Sequence, residues 1–162
     1  MKKCVLMLPD ESKTLLLGAI LASVCVRSCV IYLNGYVGSG KSVFCKGFLN
    51  ALGHVGHINS PTYTLIEPYI LTNWHVYHFD FYRLTSSEEL EYMGIRDYFD
   101  NGNTVCLIEW PKQGMGILPT EDISVTMYYH DCKKSRKVVI ESFSNLGHGM
   151  LGDLLSYWKL HI

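Results

Sequence analysis

Gly35-Tyr36-Val37-Gly38-Ser39-Gly40-Lys41-Ser42 matches the pattern G-x-x-x-x-G-K-[ST] at every fixed position. Glycines in such a loop let successive backbone N–H groups turn toward phosphate oxygens, and the following helix adds the positive end of its dipole. Lys41 supplies a mobile positive charge, and the Ser42 hydroxyl is the kind of oxygen ligand that Mg²⁺ prefers. The sequence therefore predicts a P-loop that binds ATP with Mg²⁺. Its predicted contacts are Tyr36, Val37, Gly38, Ser39, Gly40, Lys41 and Ser42.

The segments on either side of this loop have the pattern that a P-loop requires. Residues 29–33 form a short apolar run rich in β-branched residues, which is typical of a strand buried on both faces. Residues 42–52 carry apolar side chains at three- and four-residue spacing, and Gly53 stands where a helix often ends. The sequence thus predicts a strand, a glycine loop and a helix in succession.

Further elements alternate along the chain in the manner of an α/β protein. Apolar periodicity predicts a first helix over residues 11–26, capped by Asp10 or Ser12, and a short helix that begins near Ser86. We expect one domain, residues 1–162, with the three-layer α/β sandwich of P-loop NTPases: a mostly parallel sheet with helices on both faces. The other predicted elements are strands at residues 74–79, 105–108, 123–129 and 137–142 and a closing helix at residues 150–160.

Two carboxylates follow predicted strands. Asp80 and Glu109 stand where the carboxyl ends of parallel strands place ligand-binding groups, and a P-loop needs such a carboxylate near its Mg²⁺. Which of the two lies closer to the ion stays open. Thr62 follows the P-loop helix, where nucleotide switches place a hydroxyl, although the segment alone is an ordinary turn. His75 and His78 point to opposite faces of one strand, so we assign them no chemistry.

The composition excludes several classes of protein. Apolar residues make up 48% and charged residues 18% of 162 residues, as in globular domains, and no apolar run approaches the roughly 20 residues of a membrane span. We therefore expect a cytoplasmic protein with no membrane contact. A net charge of −1 with few arginines argues against a broad nucleic-acid surface, so a partner would hold any RNA. The six cysteines include no C-x-x-C pair, which predicts reduced thiols without disulfide partners: Cys4, Cys25, Cys29, Cys45, Cys106 and Cys132.

Taken together, these motifs resemble the bacterial TsaE family, formerly called YjeE. The resemblance extends over nearly the whole chain, and it implies an ATPase that is weak alone and supports formation of threonylcarbamoyladenosine next to the anticodon of tRNAs reading codons that begin with A. It implies action with the TsaB and TsaD proteins, TsaD being the transferase, and contact with tRNA only through that complex. Beyond the P-loop, the matching stretches are Ser60-Pro61-Thr62-Tyr63-Thr64-Leu65, Glu67-Pro68-Tyr69, Tyr77-His78-Phe79-Asp80-Phe81-Tyr82-Arg83-Leu84, Glu88-Glu89-Leu90 and Ile108-Glu109-Trp110-Pro111.

The same resemblance implies roles for individual residues. Lys41 would be the phosphate lysine, Ser42 and Glu109 would serve the Mg²⁺, and Thr62 and Asp80 would form the switch and catalytic pair. The remaining implied residues are Trp110 as a functional residue, Glu11 and Thr14 near the base, and Lys134 or Arg136 near the nucleotide. The chain departs from the family's usual residues at Tyr36, Val37 and Ser42, where serine keeps the hydroxyl.

Three other functions use the same motif. A small-molecule kinase usually closes an arginine-bearing lid over the phosphates, and this chain has only Arg27, Arg83, Arg96 and Arg136, without a cluster. A guanine-nucleotide switch would carry N-K-x-D, which is absent from the sequence. A third possibility is a binding module that holds nucleotide without useful hydrolysis. It would differ from the predicted ATPase only in the degree to which it hydrolyses the nucleotide.

Overall fold

The computed structural model describes residues 2–99, 102–131 and 134–161. The helices are α1 (Glu11–Ser23), α2 (Lys41–Ala51), α3 (Glu88–Tyr92) and α4 (Asn145–Lys159), with short 3₁₀ helices at Ile95–Tyr98 and Pro111–Gly114. The strands are β1 (Lys2–Leu8), β2 (Cys29–Asn34), β3 (Ile66–Ile70), β4 (His75–Asp80), β5 (Thr104–Glu109), β6 (Ile123–His130) and β7 (Ser135–Ser142).

The strands form one mixed sheet in the order β1-β7-β6-β2-β5-β4-β3. Its centre is parallel, because β2 pairs in parallel with both β5 and β6, and β4 pairs in parallel with β5. Both margins are antiparallel: β3 pairs with β4, and β7 pairs with β6 and β1. The expected α/β fold is confirmed, with its parallel pairing confined to the four central strands.

Side chains alternate between the two faces of the central strands. On β2, Ile31 and Leu33 join the core beneath the long helices, whereas Tyr32 belongs to the core on the opposite face. The same alternation on β4 places Val76 in the first core and Tyr77 in the second. Asp80, four residues after Val76, therefore lies on the face covered by α2.

Helices cover the two faces of the sheet unequally. The first core packs against α1, α2 and α4, and the second packs against the five-residue α3 and the neighbouring 3₁₀ helices. Aromatic rings fill much of the second core; the Tyr77 and Tyr98 rings meet edge-on at 4.8 Å between centroids. Helices on both faces were expected, but the second face is covered mainly by α3 and the short 3₁₀ helices.

Several predicted boundaries were wrong. The first helix ends at Ser23 rather than residue 26, and the last helix begins at Asn145 rather than residue 150, because Ser144 caps it five residues earlier. β1 and β3 were not predicted. Both are edge strands, and β1 pairs with β7, which lies more than 120 residues away in the sequence, so local pattern carries little of their stability.

Five cysteines lie in the described part of the chain, and all are free: Cys4, Cys25, Cys29, Cys45 and Cys106. Cys132 and Lys133 lie outside the described residues. Within the described ranges, no helix has both the length and the apolar character needed to cross a membrane.

Candidate functional site

A cavity of about 500 Å³ lies at the carboxyl end of the parallel strands. The P-loop, residues 35–42, forms one wall, and the ends of β4 and β5 form another. Tyr36 and Ser39 are the predicted site residues that do not line it: the Tyr36 side chain is 73% exposed, and Ser39 is buried. The cavity brings together the other predicted residues: Glu11, Thr14, Val37, Gly38, Gly40, Lys41, Ser42, Thr62, Asp80, Glu109, Trp110, Lys134 and Arg136.

The P-loop backbone adopts a shape that needs glycine. Gly38 and Gly40 have φ angles of 81° and 113°. A Cβ on Gly38 would lie 2.8 Å from the Tyr129 hydroxyl, and one on Gly40 would lie 3.0 Å from the Met127 methyl group. Gly40 precedes α2, and among the described residues no side chain caps this helix. The first-turn N–H groups of α2 therefore lie at the cavity with no side-chain acceptor of their own.

Lys41 is folded back over the P-loop. Its Nζ donates to the carbonyl oxygens of Gly35 at 2.5 Å and Tyr36 at 2.9 Å, and it lies 5.1 Å from the centroid of the Trp110 ring. Burial lowers the pKa of Lys41, and the carboxylates of Glu109 and Asp80 oppose this shift. The ammonium group thus keeps polar partners and lies within the cavity wall.

Two side chains of the β6–β7 hairpin hold the P-loop from outside. Tyr129 donates its hydroxyl to the Val37 carbonyl at 2.5 Å. Arg136, the register partner of Tyr129, donates from Nε to the Ser39 carbonyl at 2.8 Å and from Nη2 to the Gly38 carbonyl at 3.3 Å. Arg136 does line the cavity as predicted, but these bonds go to the loop backbone. Tyr129 was not predicted, since its contact depends on a segment 92 residues away in sequence.

Asp80 and Glu109 are register partners at the ends of β4 and β5. The Asp80 carboxylate accepts hydrogen bonds from the Thr62 hydroxyl at 3.3 Å and from the Tyr82 backbone N–H at 2.9 Å. Burial raises the pKa of Asp80, the Tyr82 N–H lowers it, and the Glu109 charge raises it further. The predicted switch hydroxyl and the predicted catalytic carboxylate are thus in contact.

His78 is a site neighbour that the sequence analysis left without chemistry. Its Nε2 lies 2.8 Å from Glu109 Oε2 and 3.6 Å from the sulfur of Cys45 on α2. Burial raises the pKa of the Cys45 thiol. The sequence analysis placed His75 and His78 on opposite faces of the strand, but nothing local indicated the partners that two other elements bring to His78.

The mouth of the cavity carries two further arrangements. Trp110 directly follows Glu109 with φ 56°, a left-handed backbone that is uncommon for a large side chain, and its ring packs 5.0 Å from that of Tyr82. Arg83 lies over the exposed ring of Tyr63, 4.3 Å from its centroid, and donates to its hydroxyl. Arg83 and Arg136 therefore both line the cavity, each bonded to a neighbour, a grouping that the sequence spacing did not predict.

The family model described as "Threonylcarbamoyl adenosine biosynthesis protein TsaE" matches residues 8–138, which include the P-loop, both carboxylates, β6 and the first half of β7. The chain belongs to the TsaE family. It is 43% identical over 149 residues to the tRNA threonylcarbamoyladenosine biosynthesis protein TsaE of Haemophilus influenzae, which covers 89% of this chain and 92% of the relative.

A second relative and a solved structure extend this finding. The chain is 35% identical over 119 residues to the Bacillus subtilis protein of the same name, covering 74% of this chain and 72% of the relative. The crystal structure of Bacillus subtilis YdiB superposes with a TM-score of 0.81 over 96% of both chains, at 23% identity. This likeness shows that the two chains share a fold.

Proposed function

We propose that this TsaE family member binds Mg²⁺-ATP in the cavity and hydrolyses it to support threonylcarbamoylation of tRNA. The observation that carries the proposal is the start of α2: a glycine cradle, an uncapped helix N-terminus among the described residues and Lys41 form one wall of the cavity. Backbone N–H groups, a positive helix end and an ammonium group together suit a chain of phosphates. The Glu109 and Asp80 carboxylates on the facing wall suit the cation that accompanies it.

Each side chain then has a defined part in hydrolysis. Lys41 would donate to phosphate oxygens in place of the P-loop carbonyls, and Ser42 and Glu109 would hold the cation. Mg²⁺, when bound, neutralises negative charge on the phosphate oxygens. Asp80, kept in place by the Tyr82 N–H, accepts a hydrogen bond from the attacking water and orients it, and Thr62 links the switch segment to this carboxylate.

The partners in this proposal are the TsaB and TsaD proteins, with tRNA reached through them. The relatives of this chain are named for tRNA threonylcarbamoyladenosine biosynthesis, which supports this choice of partners. Arg83 and Arg136 are both bonded to neighbours, so a low rate of hydrolysis is expected from the chain alone. A partner that rearranges the cavity mouth would raise it.

The direct test is release of phosphate from Mg²⁺-ATP, with the protein alone and with TsaB and TsaD added. We expect slow turnover that rises when both partners are present, and its loss in Lys41→Ala. Unchanged turnover in a folded Lys41→Ala protein would remove the cavity from consideration. Transfer of phosphate to a small acceptor, without stimulation by the partners, would instead identify a small-molecule kinase.

A further inference from the structure

His78 is a buried imidazole directly behind a wall of the cavity. It is 2% exposed and does not line the cavity, whereas its neighbour Glu109 does. Its Nε2 approaches the Glu109 carboxylate at 2.8 Å, a distance typical of a hydrogen bond to a charged acceptor. The function proposed above does not use this group.

The surroundings of the ring assign its proton. Nδ1 is buried, and no described residue forms a hydrogen bond with it. A proton on Nδ1 alone would bury an unpaired donor and set the lone pair of Nε2 against a carboxylate oxygen. Nδ1 has no partner in either tautomer, whereas a proton on Nε2 gives both Nε2 and the carboxylate a hydrogen-bond partner. The geometry therefore places a proton on Nε2, which donates to Glu109 Oε2.

This donation restricts the Glu109 carboxylate. Oε2 accepts this hydrogen bond, and the same carboxylate belongs to a side chain that lines the cavity. Glu109 is itself 4% exposed and ends β5, where the backbone turns sharply at Trp110. This hydrogen bond and the low exposure of Glu109 together limit the orientations that its carboxylate can adopt.

The same ring touches the helix that begins at the P-loop. Cys45 lies one turn after Lys41 on α2, and its sulfur is 3.6 Å from His78 Nε2. Both side chains are buried in the layer between α2 and the sheet. His78 therefore contacts both the Glu109 carboxylate at the end of β5 and the helix that begins at the P-loop.

We propose that His78 is a positioning residue that orients Glu109 and thereby sets the affinity of the site for the divalent cation bound with the nucleotide. The inference rests on the proposed function, because it assigns Glu109 to the cation. Residues that hold a metal ligand in place commonly change metal affinity by 10–100-fold when they are replaced. His78→Leu should therefore weaken cation binding about 10-fold or more while leaving cation-free nucleotide binding intact.

The experiment uses Mn²⁺ as the probe, titrated into the protein–ADP mixture and followed by the electron paramagnetic resonance signal of free Mn²⁺. His78→Leu removes the donor, His78→Gln retains an amide N–H, and His75→Leu, on the same strand but exposed, is the control. We expect a large rise in the Mn²⁺ dissociation constant for His78→Leu, partial recovery for His78→Gln and no change for His75→Leu. ADP affinity in the presence of a chelator should stay within about two-fold of wild type in all three, because the P-loop contacts are untouched.

Wild-type Mn²⁺ affinity in folded His78→Leu overturns the proposal, and so does an equal loss of ADP affinity in the chelator. If His78→Leu does not fold, ¹⁵N NMR of the wild-type histidines decides: a proton on Nε2 whose resonance shifts in Glu109→Gln supports the proposal, and a proton on Nδ1 alone overturns it. Mn²⁺ binding needs no hydrolysis, so a protein that binds Mn²⁺-ADP but does not turn over ATP defeats only the proposed function. No Mn²⁺-ADP binding by the wild type overturns both.

Discussion

Helices α2 and α4 begin in opposite ways. The N-cap of α4 is Ser144, whose hydroxyl accepts from the Gly147 N–H at 2.9 Å and donates to Asp122 at 2.6 Å. The N-cap of α2 is Gly40, and within the described ranges no side chain caps that helix. Both helices follow a strand of the same sheet, so the difference lies in the residues placed at the helix start.

The two arrangements serve different ends. Asp122 also accepts from the Val30 N–H at 2.8 Å, so the start of α4 is joined to β2 and contributes to folding. The start of α2 leaves its N–H groups at the cavity without a side-chain acceptor and forgoes the stability that a cap provides. Substitutions at α2 should therefore change nucleotide binding, and substitutions at α4 should change stability. Variants at either helix start can therefore test this contrast, if nucleotide binding and stability are both measured.

Lys41→Ala should have the largest effect on function. It removes the positive charge in the cavity wall, and we expect kcat/KM for ATP to fall by about 100-fold or more, as when a transition-state donor is lost. The melting temperature should not fall greatly, because the buried ammonium group is itself costly to desolvate. Steady-state phosphate release and calorimetric melting measure the two quantities. A protein with normal kcat/KM would contradict the role given to this helix start.

Gly40→Ala should come next. The new Cβ meets the Met127 methyl group at 3.0 Å in a left-handed backbone, so the cradle must shift, and we expect ADP affinity to fall about 10-fold or more. Gly53→Ala is the matched control, since φ is 105° there and a Cβ meets nothing within 4 Å. Both should lose about 1–2 kcal/mol of stability to backbone strain. Equal ADP affinity in the two variants would show that backbone strain, and not the shape of the P-loop at Gly40, determines the loss of affinity.

Tyr129→Phe and Arg136→Lys should have smaller effects. Each removes hydrogen bonds to P-loop carbonyls, worth about 1 kcal/mol, so ADP affinity should fall about five-fold. Arg96→Lys is the control, because Arg96 forms an exposed ion pair with Glu91 away from the cavity. Fluorescence titration with a labelled nucleotide measures the change. Affinities equal to that of the control would mean that the hairpin does not support the loop.

Ser144→Ala should leave nucleotide affinity unchanged and reduce stability. Loss of the cap and of the bond to Asp122 should lower the free energy of unfolding by about 1–2 kcal/mol. Ser156→Ala, an exposed serine on the same helix, should change it by less than about 0.5 kcal/mol. Urea unfolding and ADP titration test the pair. A change in ADP affinity for Ser144→Ala would break the separation between the two helix starts.

Sequence reasoning found the centre of this fold because its signals are local. The apolar run of β2, the glycine pattern and the spacing of α2 all lie within about 25 consecutive residues, and each follows from backbone geometry. The edge strands β1 and β3 were missed because their pairing comes from distant partners and β3 contains Pro68. The start of α4 was placed too late because Gly147 and Gly149 weaken its helical pattern, whereas Ser144 in fact begins it.

The same distinction between local signals and distant contacts applies to the site. Strand-end position placed Asp80 and Glu109 at the cavity, since parallel strands present their carboxyl ends together. His78 and Tyr129 escaped prediction because their partners come from elements far away in sequence. Arg136 was assigned to the nucleotide, but its hydrogen bonds to the P-loop carbonyls could not be foreseen, because they depend on the register of the β6–β7 hairpin.

If the start of α2 binds phosphate and the capped start of α4 does not, only the first helix start should respond to nucleotide. Backbone amide hydrogen exchange, followed by mass spectrometry with and without Mg²⁺-ADP, tests both helix starts in one sample. We predict slower exchange over residues 38–43 when Mg²⁺-ADP is added and no change over residues 145–148. Equal exchange at residues 38–43 with and without saturating nucleotide would contradict the account.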